Sequence, residues 1–218
     1  MSGFGKAVTN TQPLDINQSL RIDVHMKVGA AMERVEVQSQ VAQVETLNPT
    51  IGATVSGAPV ESLPLNGRDV LDLALTQPGV APAPSGGYGG GNFTIAGGRA
   101  DAVSYVLDGG TNNSVTGNSV VFNPNPDTIA EFRILSNNYT AEYGRNGGGT
   151  VSVVTKSGTN AFHGSLFDYL RNDAFNANDF FDNLNGVPRP VLKRNQFGGT
   201  IGGPVVKDKI FFFFGYHG

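Results

Sequence analysis

The last 25 residues limit what this chain can fold into more than any other stretch. Phe197, Gly199 and Ile201 alternate on one face with Gln196, Gly198 and Thr200 on the other. The polar turn Lys207-Asp208-Lys209 then leads into four consecutive phenylalanines, Phe211 to Phe214, followed by Gly215 and Tyr216. Alternation with a period of two on both sides of a short turn predicts a β-hairpin. In water, so greasy a ribbon invites edge-to-edge aggregation. A transmembrane barrel needs the same pattern, with apolar residues toward lipid, a polar lumen side, aromatic girdles and short periplasmic turns. The tail therefore predicts the opening wall of an outer-membrane β-barrel.

The preceding segment extends that expectation. Residues 162–171 have the length of a barrel strand, with aromatics on both faces, and residues 172–193 form a long Asn- and Asp-rich loop that contains Phe180 and Phe181. If the first strand rises from the periplasm, residues 172–193 lie outside and residues 203–209 inside, the usual asymmetry of bacterial barrels. Charged residues make up only 15% of the chain, below the roughly 25% of ordinary globular proteins. Thirty glycines and 14 phenylalanines suit turns and pleated surfaces. A net charge of −3 gives no reason to expect nucleic acid. Without cysteine there are no disulfides and no thiolate metal sites. No apolar run reaches the 18 or so residues of a membrane helix. Residues 1–20 lack the cationic start and apolar core of a signal peptide, so the reading is of a chain cut at both ends from a longer exported protein.

Along the rest of the chain, Leu20, Ile22, Val24 and Met26 alternate with charged neighbours, and Arg34-Val35-Glu36-Val37 makes a second β-prone run. Residues 1–40 read as the end of a small β-sandwich and residues 41–58 as an extended linker. Residues 59–158 read as a compact mixed module. Asn66 is expected to cap a helix whose stripe is Val70, Leu71, Leu73 and Ala74 and which ends at Pro78-Gly79. Strands are expected at 93–96, 103–108, 132–135 and 150–155. A tight turn is expected at Gly97-Gly98-Arg99, and Asp127 is expected to cap a short helical turn. Two long loops, 82–92 and 111–125, imply a task of their own.

No reading of the residues favours an enzyme. His25, His163 and His217 sit on three separate strand candidates without metal-ligand spacing. There is no Gly-x-Ser-x-Gly elbow, and the glycine run 86–91 lacks the lysine of a phosphate cradle. Asp168, Asp173, Asp179 and Asp182 do not match a calcium loop. No cofactor is expected.

Six motifs occur in an order that resembles TonB-dependent outer-membrane receptors: residues 63–69 (Leu-Pro-Leu-Asn-Gly-Arg-Asp), 96–99 (Ala-Gly-Gly-Arg), 105–109 (Tyr-Val-Leu-Asp-Gly), 129–132 (Ile-Ala-Glu-Phe), 141–145 (Ala-Glu-Tyr-Gly-Arg) and 147–160. The likeness is nearest to the Oar-like branch, which carries a carboxypeptidase-regulatory-like β-sandwich before the plug. One departure is Arg133, which stands where the family's plug pattern has a second acid. The resemblance implies a mainly β, α+β fold: a plug domain of a small mixed sheet with short helices, followed by the first three or so antiparallel strands of an incomplete transmembrane barrel. It also implies outer-membrane location with a periplasmic N-terminus, and energy-coupled uptake of a siderophore, oligosaccharide, peptide or similar substrate. The partners it implies are outer-membrane lipid and a TonB-type periplasmic protein. That protein would grip a strand-forming TonB box, for which Arg34, Val35, Glu36 and Val37 are the candidate. By the same likeness Tyr88, Arg99, Asn112 and Asn113 are candidate substrate contacts. A non-transport surface protein that binds glycan is the alternative.

Overall fold

The structure, a computed structural model, describes residues 50–63, 65–83 and 93–218, together with two strands nearer the N-terminus. Those strands, β1 (Lys6–Thr9) and β2 (Arg34–Val37), pair in parallel, with Val8 opposite Glu36. The strand expected at 20–26 lies outside the described residues, as does the rest of the proposed β-sandwich.

The central body is a five-stranded mixed sheet. Its members are β3 (Ile51–Ser56), β6 (Ser104–Leu107), β7 (Gly110–Thr111), β8 (Ile129–Asn137) and β9 (Thr150–Thr155). Their order is β3-β8-β9-β6-β7, and the β6–β9 pairing alone is parallel. A short helix, α1 (Ala58–Ser62), and a 3-10 helix over Val70–Thr76 cover one face, beside the small ribbon of β4 (Val80–Pro82) and β5 (Phe93–Ile95). Val60, Val70, Leu73, Phe93, Ile95, Val103, Ile129, Phe132, Ile134 and Val151 are buried together in its core. These residues come from a helical stripe and from alternate strand positions, so both hydrophobic periods converge on one interior.

Three expectations need correction. The linker stops earlier than residue 58, because Ile51–Ser56 pairs in antiparallel register with β8 and forms an edge of the main sheet. Its alternation is too weak to read alone, since the strand is only half-buried. Asn66 does not cap the helix that carries the buried stripe. It opens a separate 3-10 turn at Asn66–Arg68, and Asp69 caps Val70–Thr76 by accepting from the Leu71 amide at 2.9 Å. Nor does Asp127 act as a cap. Asn125 accepts from the Asp127 amide, and the Asp127 side chain turns inward.

After residues 156–162 the chain enters a three-stranded antiparallel sheet of β10 (His163–Asn172), β11 (Lys193–Val206) and β12 (Ile210–His217). The hairpin turn falls at Lys207–Lys209, as expected, and the Asn160 side chain bonds Asp208 through both its amide oxygen and nitrogen. Phe167, Tyr169 and Gln196 face the plug, whereas Leu166, Leu170, Phe197, Ile201 and Phe214 stand on the other side of the sheet. The second group is exposed, with Leu166 at 92% and Phe214 at 60%. A soluble sheet would bury these residues, and a barrel wall turns them to lipid. The long connection between β10 and β11 holds a 3-10 turn and a second helix, α2 (Phe180–Leu184), capped by Asp179.

Candidate functional site

Two regions bring polar side chains together, and both start from turn chemistry. The first is the seam between the plug and the wall. Gly67 (φ 74°) and Arg68 (φ 60°) are successive left-handed residues; glycine adopts this conformation freely, whereas arginine does so uncommonly and is held there by its contacts. The turn drives Arg68 inward, where it is 8% exposed. Its Nη2 pairs with Asp127 and its Nη1 donates to the Glu61 carbonyl oxygen at 3.2 Å. The guanidinium lies 4.4 Å from the centre of the Tyr169 ring and 5.6 Å from that of Phe167, both on β10. A planar, weakly hydrated cation suits aromatic faces as well as a carboxylate. Nearby, Lys156 pairs with Glu61, and Gln196 on β11 donates to the Gly67 carbonyl oxygen at 3.1 Å. Gly158 completes the junction. A Cβ there would stand 2.2 Å from the Phe212 carbonyl oxygen, so only glycine lets the tether lie flat on the wall.

The second region is a platform of loops around the start of β6. β7 doubles back on β6, and the Asn112 amide bonds the Tyr105 carbonyl oxygen at 2.8 Å, which returns the loop over 112–122 to the side of residues 97–102. Asn113 is buried there. Its Oδ1 accepts from the Tyr105 amide at 2.7 Å, and its Nδ2 donates to the Val103 carbonyl oxygen at 3.0 Å and to Asn118. Asn118, left-handed at φ 52°, reaches the same Val103 carbonyl oxygen, and Asn146 donates to Ser104 Oγ at 3.0 Å. This amide network joins three loops over the edge of the core. Beneath it Tyr105 packs edge-on to Phe93, and burial, helped by the negative charge of Asp69, pushes its hydroxyl up to about 12.

The predicted site residues fall unevenly on this frame. Arg99 is exposed beside the platform and pairs with Asp101 at 2.6 Å. Asn112 is partly exposed, and its amide brackets Phe122 through the Phe122 nitrogen and oxygen. Asn113 sits below them with its amide fully engaged, so it braces the loop from within. Exposed Val115, Val121 and Phe122 crown the same loop, and nothing in the sequence marked them. Tyr88 lies outside the described residues. Arg34–Val37 forms the extended strand β2, far along the chain from both regions. Among the described residues no three His, Asp or Glu side chains gather to hold a metal ion. Asp173 and Asp179 serve backbone amides of their own loop.

The sequence profile of the TonB-dependent receptor plug domain matches residues 49–151, and that of an outer-membrane β-barrel domain matches residues 154–218. The chain belongs to the TonB-dependent receptors. It is 28% identical over 228 residues to the TonB-dependent transporter Oar of Myxococcus xanthus, an alignment that covers 93% of this chain and 20% of the relative. Among solved structures it shares its fold with the siderophore receptor PirA of Acinetobacter baumannii, at a TM-score of 0.58 and 22% identity, over 76% of this chain and 24% of PirA. The outer-membrane transporter YddB of Escherichia coli is similar at 0.55 and 15% identity, over 75% of this chain and 25% of YddB. The chain thus spans a fifth to a quarter of the length of these relatives. This TonB-dependent receptor is an outer-membrane protein of a transport family, and its relatives are transporters and receptors rather than enzymes.

Proposed function

We infer that this chain supplies the plug and the opening wall of a receptor that takes up a substrate from outside, powered by a TonB-type periplasmic protein. One observation carries the reading: the plug is fastened to the wall by a small set of contacts around Arg68 while its own loops stay largely exposed. A domain held in this way can be remodelled locally at far lower cost than the wall around it. The substrate is captured over the loop platform, where Arg99 and Asn112 contact it from below and Tyr88 from the glycine-rich loop. The division that follows is residues 1–40 for the β-sandwich end, a linker that stops before residue 50, the plug to residue 158 and the wall from residue 159.

Energy enters through Arg34–Val37. An extended strand offers backbone donors and acceptors along its edge, and a partner strand adds to it with alternate side chains setting the fit. β1 occupies one edge of β2, so the periplasmic partner adds to the other edge or takes the place of β1. Binding of the full-length receptor to a TonB C-terminal domain tests this. Replacing Val35 and Val37 by proline removes two backbone donors and is expected to weaken binding roughly tenfold or more. Unchanged affinity would remove the energy-coupling assignment.

A further inference from the structure

At the upper end of the seam two arginines stand side by side. Arg171 on β10 is the register partner of Arg194 on β11. Both reach toward the plug: Arg171 Nη1 donates to Asn66 Oδ1, and Arg194 Nη1 lies 2.8 Å from the point a Cβ on Gly67 would occupy. Like charges directly opposite each other across a strand pair are destabilising. Neither arginine has a carboxylate in ion-pair reach among the described residues. A cavity of about 570 Å³ with a mixed polar and apolar lining opens beside Arg171. Glu61, Asn66, Arg68, Tyr169, Arg171 and Gln196 are among its lining residues, and Arg194 stands outside it, over the Asn66-Gly67 turn. Its charged lining is already committed elsewhere, since Arg68 pairs with Asp127 and Glu61 with Lys156. Asp168 on the rim belongs to the other face of β10 by the strand's period of two. The two guanidiniums, both on exposed residues, are therefore the charge at this point that lacks an acidic partner among the described residues.

We propose that Arg171 and Arg194 form a clasp for an oxyanion, a carboxylate or phosphate group, held between the wall and the Asn66-Gly67 turn. Each guanidinium presents a fork of N–H donors that matches such a group, and charge-assisted bonds to a shared oxyanion relieve the repulsion between the two. A local rule broken without compensation within a fold points to a site of use. The oxyanion has two sources: an anionic ligand entering from solvent, or an acidic side chain supplied by the rest of a full-length receptor.

Full-length receptor, in detergent or nanodiscs, is titrated calorimetrically with inorganic phosphate and with hexaglutamate, and its unfolding temperature is recorded. R171Q/R194Q is compared with wild type and with the charge-preserving R171K/R194K. For a solvent ligand, wild type binds at least one probe, R171Q/R194Q loses roughly ten- to hundredfold in affinity, and R171K/R194K keeps part of it. For an internal acid, wild type binds neither probe, R171Q/R194Q unfolds at a lower temperature, and R171K/R194K recovers part of the difference. A glutamine variant that binds as wild type does and is equally or more stable overturns the clasp. Neither readout involves the periplasmic partner or transport, so failure here is separable from failure of the uptake reading.

Discussion

Tyr105 shows how one side chain serves both core and platform. Its ring fills the interior beside Phe93, and its backbone amide is held by Asn113, which fixes the loop above. Burial favours the neutral phenol, so its folded value lies near 12 against about 10 in an open chain. Between those two values the unfolded state releases a proton that the folded state keeps. The contribution is therefore complete below pH 10 and is lost as pH rises toward 12. Unfolding midpoints of the full-length receptor should accordingly fall across that range, and Tyr105→Phe should fall less steeply. Equal slopes for the two proteins would mean that Tyr105 ionises as freely in the fold as outside it.

At the scale of the element, the wall sheet divides its aromatics by parity. Phe213 stacks on His163 on the plug side, while Phe214 lies opposite Ile201 on the exposed side. A charge on the lipid side costs roughly 2–4 kcal/mol near the bilayer midplane and little near its edges. Phe214→Arg should therefore lower the folding yield of full-length receptor into lipid vesicles, whereas Phe214→Leu should leave it close to wild type. Similar yields for the two variants would put Phe214 away from the hydrocarbon. The plug sheet follows a different rule. β8 and β9 carry consecutive buried residues because they are central and covered, while β3 at the edge is only half-buried.

For the whole molecule, the consequential contact is the one between Arg68, Asp127 and the two rings of β10. Asp127 lies 59 positions from Arg68 and Tyr169 a further 42 beyond Asp127, so the tie joins two parts of the plug to the wall. Removing one partner of a buried ion pair leaves the other charge uncompensated, typically a loss of about 3–5 kcal/mol. Asp127→Ala should destabilise the plug by about that amount. Tyr169→Leu should cost less, about 1–2 kcal/mol, through the lost cation–π contact. Both effects are measurable as faster amide exchange in β8 and β9 of the full-length receptor. If exchange there is unaltered in Asp127→Ala, the contact does not hold the plug in place.

The sequence by itself determined the elements whose signal is local. The wall hairpin, its turn and the face of each residue follow from a period of two; of the expected stripe, Val70, Leu73 and Ala74 are buried and Leu71 packs half-buried against the core. Motif order pointed to the family, and the mixed sheet and the profile matches agree with it. Tertiary structure alone decided what depends on distant partners. Ile51–Ser56 became a strand because β8 offered an edge, and Asp127 left its capping position because a buried guanidinium stood within reach. Asn113 went from a candidate contact to an internal brace for the same reason: an amide that finds backbone partners beneath a loop no longer faces what lies above it. Hydrophobic period is written along the chain, whereas the partner that satisfies a polar group is chosen only once the chain has folded.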